Sequence, residues 1–117
     1  MLNFTDNVQV HLACGATDMR MSIDGLSGLV QQRFKLDPYS RNLYVFCNRG
    51  CNRLKVLQWD GNGFWLYYKR LERERFKWPQ DEAGIKQISL REYRWLLDGL
   101  SLSQPQAHRE IKVKYAV

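Results

Sequence analysis

The sequence predicts an α+β domain: a mostly antiparallel sheet around a central β-hairpin, with helices packed on one face. Three observations lead there. Residues 53–59 and 64–70 each alternate in polarity with period two on either side of Asp60-Gly61-Asn62-Gly63, a turn whose residues reach positive φ at little cost, as a hairpin requires. Ile23, Leu26, Leu29, Val30 and Phe34 recur at helical spacing. Ser89 and Glu92 form an S-x-x-E capping box at the head of a second apolar stripe, Leu90, Tyr93, Leu96, Leu97 and Leu100.

In chain order, residues 8–14 place Val8, Val10, Leu12 and Cys14 on one face of a strand that ends at Gly15. A polar connection, 17–22, leads into the helix over Ile23–Phe34, with Ser22 as its cap and Asp24 complementing the dipole of its first turn. Gly25 and Gly28 weaken this helix, which is explained if its backbone approaches the sheet at those positions. Asp37-Pro38 ends it. Residues 42–47 form the next strand and 48–52 a turn into the hairpin. In the hairpin Leu54, Val56 and Gln58 face one way and Lys55, Leu57 and Trp59 the other. Across the turn, Phe64, Leu66 and Tyr68 oppose Trp65, Tyr67 and Lys69. Residues 75–78 read as a short edge strand before Pro79, 80–87 as a loop, and Gly99 stands near the end of the second helix. Residues 1–104 thus read as one domain and 105–117 as a basic, flexible C-terminal tail.

A chain of 117 residues can bury an ordinary core without disulfides. Its net charge of +6 is uneven: residues 1–40 hold three basic and four acidic side chains, residues 41–117 fifteen and eight. The basic excess therefore belongs to the sheet and the C-terminal half, and it favours a polyanionic partner. No apolar run approaches the roughly 20 residues that cross a bilayer, and the first ten residues lack the charged and apolar regions of a signal peptide. With three cysteines, Cys14, Cys47 and Cys51, an odd number, a cytoplasmic protein with reduced thiols is expected.

Candidate functional residues concentrate around the hairpin. Lys55, Lys69, Arg70, Arg73, Arg75 and Lys77, with Arg49 and Arg53 before them, form a cationic band suited to a phosphate backbone; the competing reading is a solvated face with edge lysines that oppose aggregation. Trp59, Trp65, Tyr67 and Trp78 are candidates for binding a partner, against the alternative that such aromatics are core and cross-strand pairs. Asp18, Arg20 and Asp24 near the first helix suggest a metal or phosphate site, but no third carboxylate accompanies them, and a structural Asp18–Arg20 ion pair is the simpler account. His11-x2-Cys14 and Cys47-x3-Cys51 have zinc-ligand chemistry without its spacing, because His11 and Cys14 point to opposite faces of a strand; inert thiols are expected. No catalytic residue, metal or cofactor is assigned.

Three segments together, 17–30, 37–79 and 88–100, resemble the small accessory (TnpB) family of insertion-sequence 66 bacterial mobile elements. The pieces that carry the likeness are Thr17-Asp18-Met19-Arg20, Ile23-Asp24-Gly25-Leu26, Trp59-Asp60-Gly61 and Lys69-Arg70-Leu71-Glu72, in the family's order over roughly residues 8–100. The resemblance implies a protein encoded beside a larger transposase and required for efficient movement of the element. It departs from the family in the loop after the second strand, where Gly50, Cys51 and Asn52 dilute the usual basic residues and leave Arg49 and Arg53. The resulting expectation is a non-catalytic accessory protein of DNA transposition that contacts DNA with little sequence reading and engages the transposase. The alternative is a pure protein-interaction module acting through the aromatics and the Leu90–Leu100 helix. A third class, a metal-dependent nuclease, would have to rest on Asp18 and Asp24.

Overall fold

The computed structural model describes residues 8–80 and 84–104. Among them five strands form one sheet in the order β4-β3-β2-β1-β5. β1 (Val10–Ala13) is followed by α1 (Ile23–Gly28), which runs straight into a π-helical turn over Leu29–Arg33. β2 (Leu43–Cys47) then lies parallel to β1, so the first half is a β-α-β unit. β3 (Arg53–Trp59) and β4 (Phe64–Arg70) are the hairpin, and β3 pairs antiparallel with β2. β5 (Ile85–Ile88) returns to the far edge, antiparallel to β1, and leads into α2 (Leu90–Leu97). The α+β class and the mostly antiparallel sheet are as the sequence predicts.

The two helices lie on opposite faces of the sheet, which corrects the expectation that both cover one face. Leu26 of α1 and Val30 of the π-helical turn that continues it pack with Ala13, Tyr44, Phe46 and Leu57. Tyr93 and Leu96 of α2 pack on the other side, with Val10, Leu12, Leu43, Val45, Leu54 and Val56. The cause is the composition of the central strands. VHLA and LYVFC are apolar almost without interruption and buried at every position, the pattern of strands covered on both faces. Successive residues point to opposite sides, so each strand feeds two cores.

Four local readings also change. Ser22 occupies the cap position of α1, but its hydroxyl makes no capping bond; its carbonyl accepts from Leu26 N–H at 2.9 Å. Gly25 faces Met21 and Gly28 faces open space, so neither marks a close approach to the sheet. Residues 75–78 alternate in burial, with Phe76 and Trp78 inside and Arg75 and Lys77 outside, yet they form no ladder. Instead Leu71 N–H donates to Asn52 O, Phe76 N–H to Cys51 O, and Gly15 N–H to Pro79 O, so this segment crosses the ends of the strands from β4 to β1. The strand on that side is β5, which takes up the last three residues of the stretch read as loop together with Ile88; its four residues acquire a ladder only by docking on β1, where Ile88 pairs with Val10.

The start of α2 is as expected: Ser89 Oγ accepts from Glu92 N–H at 3.1 Å and Glu92 Oε1 from Ser89 N–H at 2.9 Å. Beyond its end Gly99 adopts φ +79° and Leu100, expected in the buried stripe, is 44% exposed. The hairpin turn closes through Asp60 N–H donating to Gly63 O. Gly61 there has φ +106°, and a Cβ would fall 2.8 Å from the Arg41 guanidinium; glycine is the residue that fits. No described helix is long and apolar enough to cross a membrane. The expected tail, 105–117, lies outside the described residues.

Candidate nucleic-acid interface

The cationic residues of the hairpin do not form one surface. Alternation along β3 and β4 sends Arg53, Lys55, Tyr68 and Arg70 to the α1 side and Lys69 to the α2 side. The register sets Arg53 opposite Arg70 and Lys55 opposite Tyr68. Two like charges directly across a strand pair disfavour the sheet, and here they stand at its end, with only Arg70 compensated: its Nε donates to Glu72 Oε2 at 2.7 Å.

The turn before β3 adds Arg49. Asn48 organises it: Asn48 Oδ1 accepts from the N–H groups of Asn52 and Arg53, both at 3.0 Å, and its amide donates to Asn52 Oδ1 at 2.7 Å. Arg49 is left exposed at the tip. Beside it runs Thr17–Arg20, tied down where Thr17 N–H donates to Cys47 O at 2.7 Å. This segment is a ridge between two open recesses. One, of about 530 Å³, is lined by Asp18, Met19, Arg20, Arg53, Lys55 and Tyr68. The other, of about 460 Å³, includes Asp18, Arg20, Asn48 and Arg49. Arg20, which the sequence groups with Asp18 and Asp24 rather than with the cationic band, thus lies beside the cations of the hairpin.

The expected Asp18–Arg20 pair is present. Arg20 holds both carboxylate oxygens, the shortest approach being Nη2 to Oδ2 at 2.7 Å, and its backbone N–H donates to Asp18 Oδ1. The Arg20 side chain is nevertheless 92% exposed. Its hydrogen bonds, ahead of any other cause, hold the Asp18 carboxyl down at about 2, against the usual 3.8. A depressed carboxyl pKa means that the pair's contribution to stability is present above the usual value and is lost as pH falls toward 2. In a carbon-detected NMR titration Asp18 should therefore titrate near 2, and Arg20→Ala should return its midpoint toward 3.8; an unchanged midpoint would discard the pair.

Besides Arg70, two of the expected DNA-contacting cations are engaged with the protein itself, through backbone carbonyls. Lys55 Nζ donates to Met19 O at 2.7 Å and to Met21 O at 2.9 Å, fixing the turn before α1. Lys69 Nζ donates to Leu97 O at 2.8 Å, satisfying a carbonyl at the negative end of α2. Arg75 and Lys77 lie beside a different recess, of about 560 Å³, with Trp78 and Lys86. Arg49, Arg53, Arg73, Arg75 and Lys77 are exposed and make no side-chain hydrogen bond or ion pair among the described residues.

The expected partner-binding aromatics also divide. Trp78 is core, 6% exposed, and its indole N–H is shared between Ala13 O at 3.1 Å and Gly15 O at 3.0 Å; this overturns its reading as a surface residue. Trp59 is half-buried in an edge-to-face group with Tyr39 and Phe64. Trp65 is 47% exposed, stacked on half-buried Tyr67, with its N–H on Asp60 Oδ2 at 2.6 Å. Tyr68, 54% exposed, is more open still. Its place in the alternation is legible in the sequence, but only the register shows that it stands among cations.

Cys47 is buried, and burial pushes its thiol pKa well up. His11 stacks on Tyr44 at 5.4 Å, its pKa lowered by burial. Among the described residues no three His, Cys, Asp or Glu side chains come together as a metal site would require.

Two open recesses with arginines in their walls thus flank the Thr17–Arg20 ridge. The chain belongs to a family of transposition-associated accessory proteins: the model of the IS66 Orf2 like protein family matches residues 8–107. It is similar to two proteins of Sinorhizobium fredii (strain NBRC 101917 / NGR234). Uncharacterized protein y4hO is 43% identical over 106 residues, 91% of this chain and 92% of that one. Uncharacterized protein y4jC is 32% identical over 100 residues, 86% of each. No solved structure matches the chain.

Proposed function

We propose that this protein is a non-catalytic accessory factor that contacts DNA during transposition of its element and assists the transposase. The DNA lies at the end of the β3–β4 hairpin on the α1 side, against Arg49, Arg53 and Arg70, extended by Arg20 and by Arg73 in the following loop. The observation that carries this reading is the Arg53–Arg70 pair, set side by side at the register of a rigid hairpin. Like charges so placed work against the sheet; Glu72 offsets that at Arg70, and an anion over the pair would offset it at Arg53. Phosphate contacts of this kind position a complex and carry little sequence information, which suits an accessory role in which the transposase performs the strand chemistry.

Fluorescence anisotropy with labelled DNA across a salt series tests this. Binding should weaken steeply with salt. The triple variant Arg49→Gln/Arg53→Gln/Arg70→Gln should bind less tightly and with a shallower salt dependence, the slope falling by about 0.9 per duplex phosphate that is no longer neutralised. No binding at low salt would reject the DNA-contacting role.

A second reading has its own observation. On the α2 side Trp65 stands open beside Tyr67, and a small apolar recess of about 170 Å³ lies between β3–β4 and α2, lined by Leu54, Val56, Tyr67, Tyr93 and Leu97 among others. That surface suits a protein partner, the transposase. Co-purification with the transposase after nuclease treatment, abolished by Trp65→Ala, would support it alongside or in place of DNA binding.

A further inference from the structure

We propose that the recess between the Thr17–Arg20 ridge and the hairpin takes one unpaired nucleotide, its base stacked on Tyr68 and its flanking phosphates held by Arg53 and Arg20. This rests on the DNA-contacting reading above and adds which form of DNA the surface prefers: single strand over duplex.

The position of Tyr68 is the argument. It is 54% exposed and makes no ring contact among the described residues. The other tyrosines of this face are used: Tyr44 hydrogen-bonds Asp37 O and Ser40, and Tyr39 packs on Trp59 and Phe64. Tyr68 instead lines the recess with three cations, Arg20, Arg53 and Lys55, and one carboxylate, Asp18, already held by Arg20. About 530 Å³ is within the range of small-ligand sites. Duplex DNA offers a protein its phosphates and groove edges, while its base faces are stacked on one another. An exposed ring beside phosphate-binding groups therefore matches an unpaired base, the arrangement by which proteins hold single strands.

The platform is also rigid. Tyr68 sits mid-strand opposite Lys55, whose ammonium is fixed by Met19 O and Met21 O. The ridge and the hairpin are thus tied together at the floor of the recess. Arg53 is held by its backbone, through Asn48 Oδ1, but its guanidinium is uncommitted among the described residues. The floor of the site is built before a ligand arrives, so binding has to order chiefly the exposed arginine side chains.

The test uses labelled oligonucleotides of equal length: single-stranded, duplex, and single-stranded with a run of abasic sites that keeps every phosphate. Wild-type protein should bind the normal single strand more tightly than the duplex or the abasic strand. Tyr68→Ala should lose roughly tenfold on the normal strand, as expected for one base–aromatic stack, lose nothing on the abasic strand, and keep the salt slope; Tyr68→Phe should bind as wild type. Circular dichroism confirms that the variants fold, and the abasic comparison needs no variant at all. Equal or tighter binding to duplex, or equal binding to normal and abasic strands, overturns the nucleotide site while leaving the phosphate surface standing. Failure to bind any of the three at low salt overturns both.

Discussion

Trp78→Ala is expected to destabilise the domain by about 3–5 kcal/mol, a large part of the roughly 5–15 kcal/mol that holds a domain together. Two costs combine. The indole fills the core between the sheet and the crossing segment, packed with Phe76 and Leu12 in the same cluster, and its removal leaves a cavity. Its N–H also serves Ala13 O and Gly15 O, which would lose that donor as β1 ends. Trp78→Phe separates the two effects, since it keeps much of the ring volume and removes the N–H; about 1–3 kcal/mol is expected from that alone. Urea denaturation monitored by circular dichroism measures both. A Trp78→Ala protein of unchanged stability that had lost a binding partner would return this residue to the surface role its sequence context suggests.

The second large effect separates two neighbouring cations. Lys55→Met keeps the aliphatic stem and removes the ammonium that bridges Met19 O and Met21 O. A loss of about 1–3 kcal/mol in stability should follow. Arg53→Gln, two residues away on the same strand face, should alter stability by no more than about 0.5 kcal/mol, and relief of the repulsion with Arg70 pushes in the stabilising direction. DNA binding should show the opposite order: Arg53→Gln weakens it and lowers its salt slope, while Lys55→Met, measured where it remains folded, leaves the slope nearly unchanged. If Lys55→Met proved neutral for folding and severe for binding, its role would have to be reassigned to holding phosphate.

The contrast between these two residues shows what is legible in a sequence. The hairpin can be read to its ends, because turn chemistry and period-two alternation are local and Arg53–Trp59 and Phe64–Arg70 contain both. The capping box of α2 is legible for the same reason. What a lysine bonds to depends on where another segment passes, so Lys55 and Lys69 are indistinguishable from Arg53 and Arg70 in a basic run. Trp65 and Trp78 pose the same problem; one meets solvent and the other the start of the β1–α1 connection. β5 escapes a sequence reading because Ile85–Ile88 has no pattern of its own and becomes a strand only against β1. The placement of helices on both faces does leave a signal, the apolar runs of β1 and β2, which a one-sided sheet does not need.

The position of β1 also bears on how the chain reaches this structure. β1 is the first described strand, yet its neighbours are β2 on one side and, on the other, β5, where Val10 meets Ile88. During synthesis the hairpin can close as soon as its own residues emerge, since its pairing is local. β1 must wait with one edge unsatisfied until nearly all of the described chain has been made. Such long-range pairing slows folding relative to a meander of equal size. It also makes the apolar segment VHLA the part most exposed to wrong partners while the protein is incomplete.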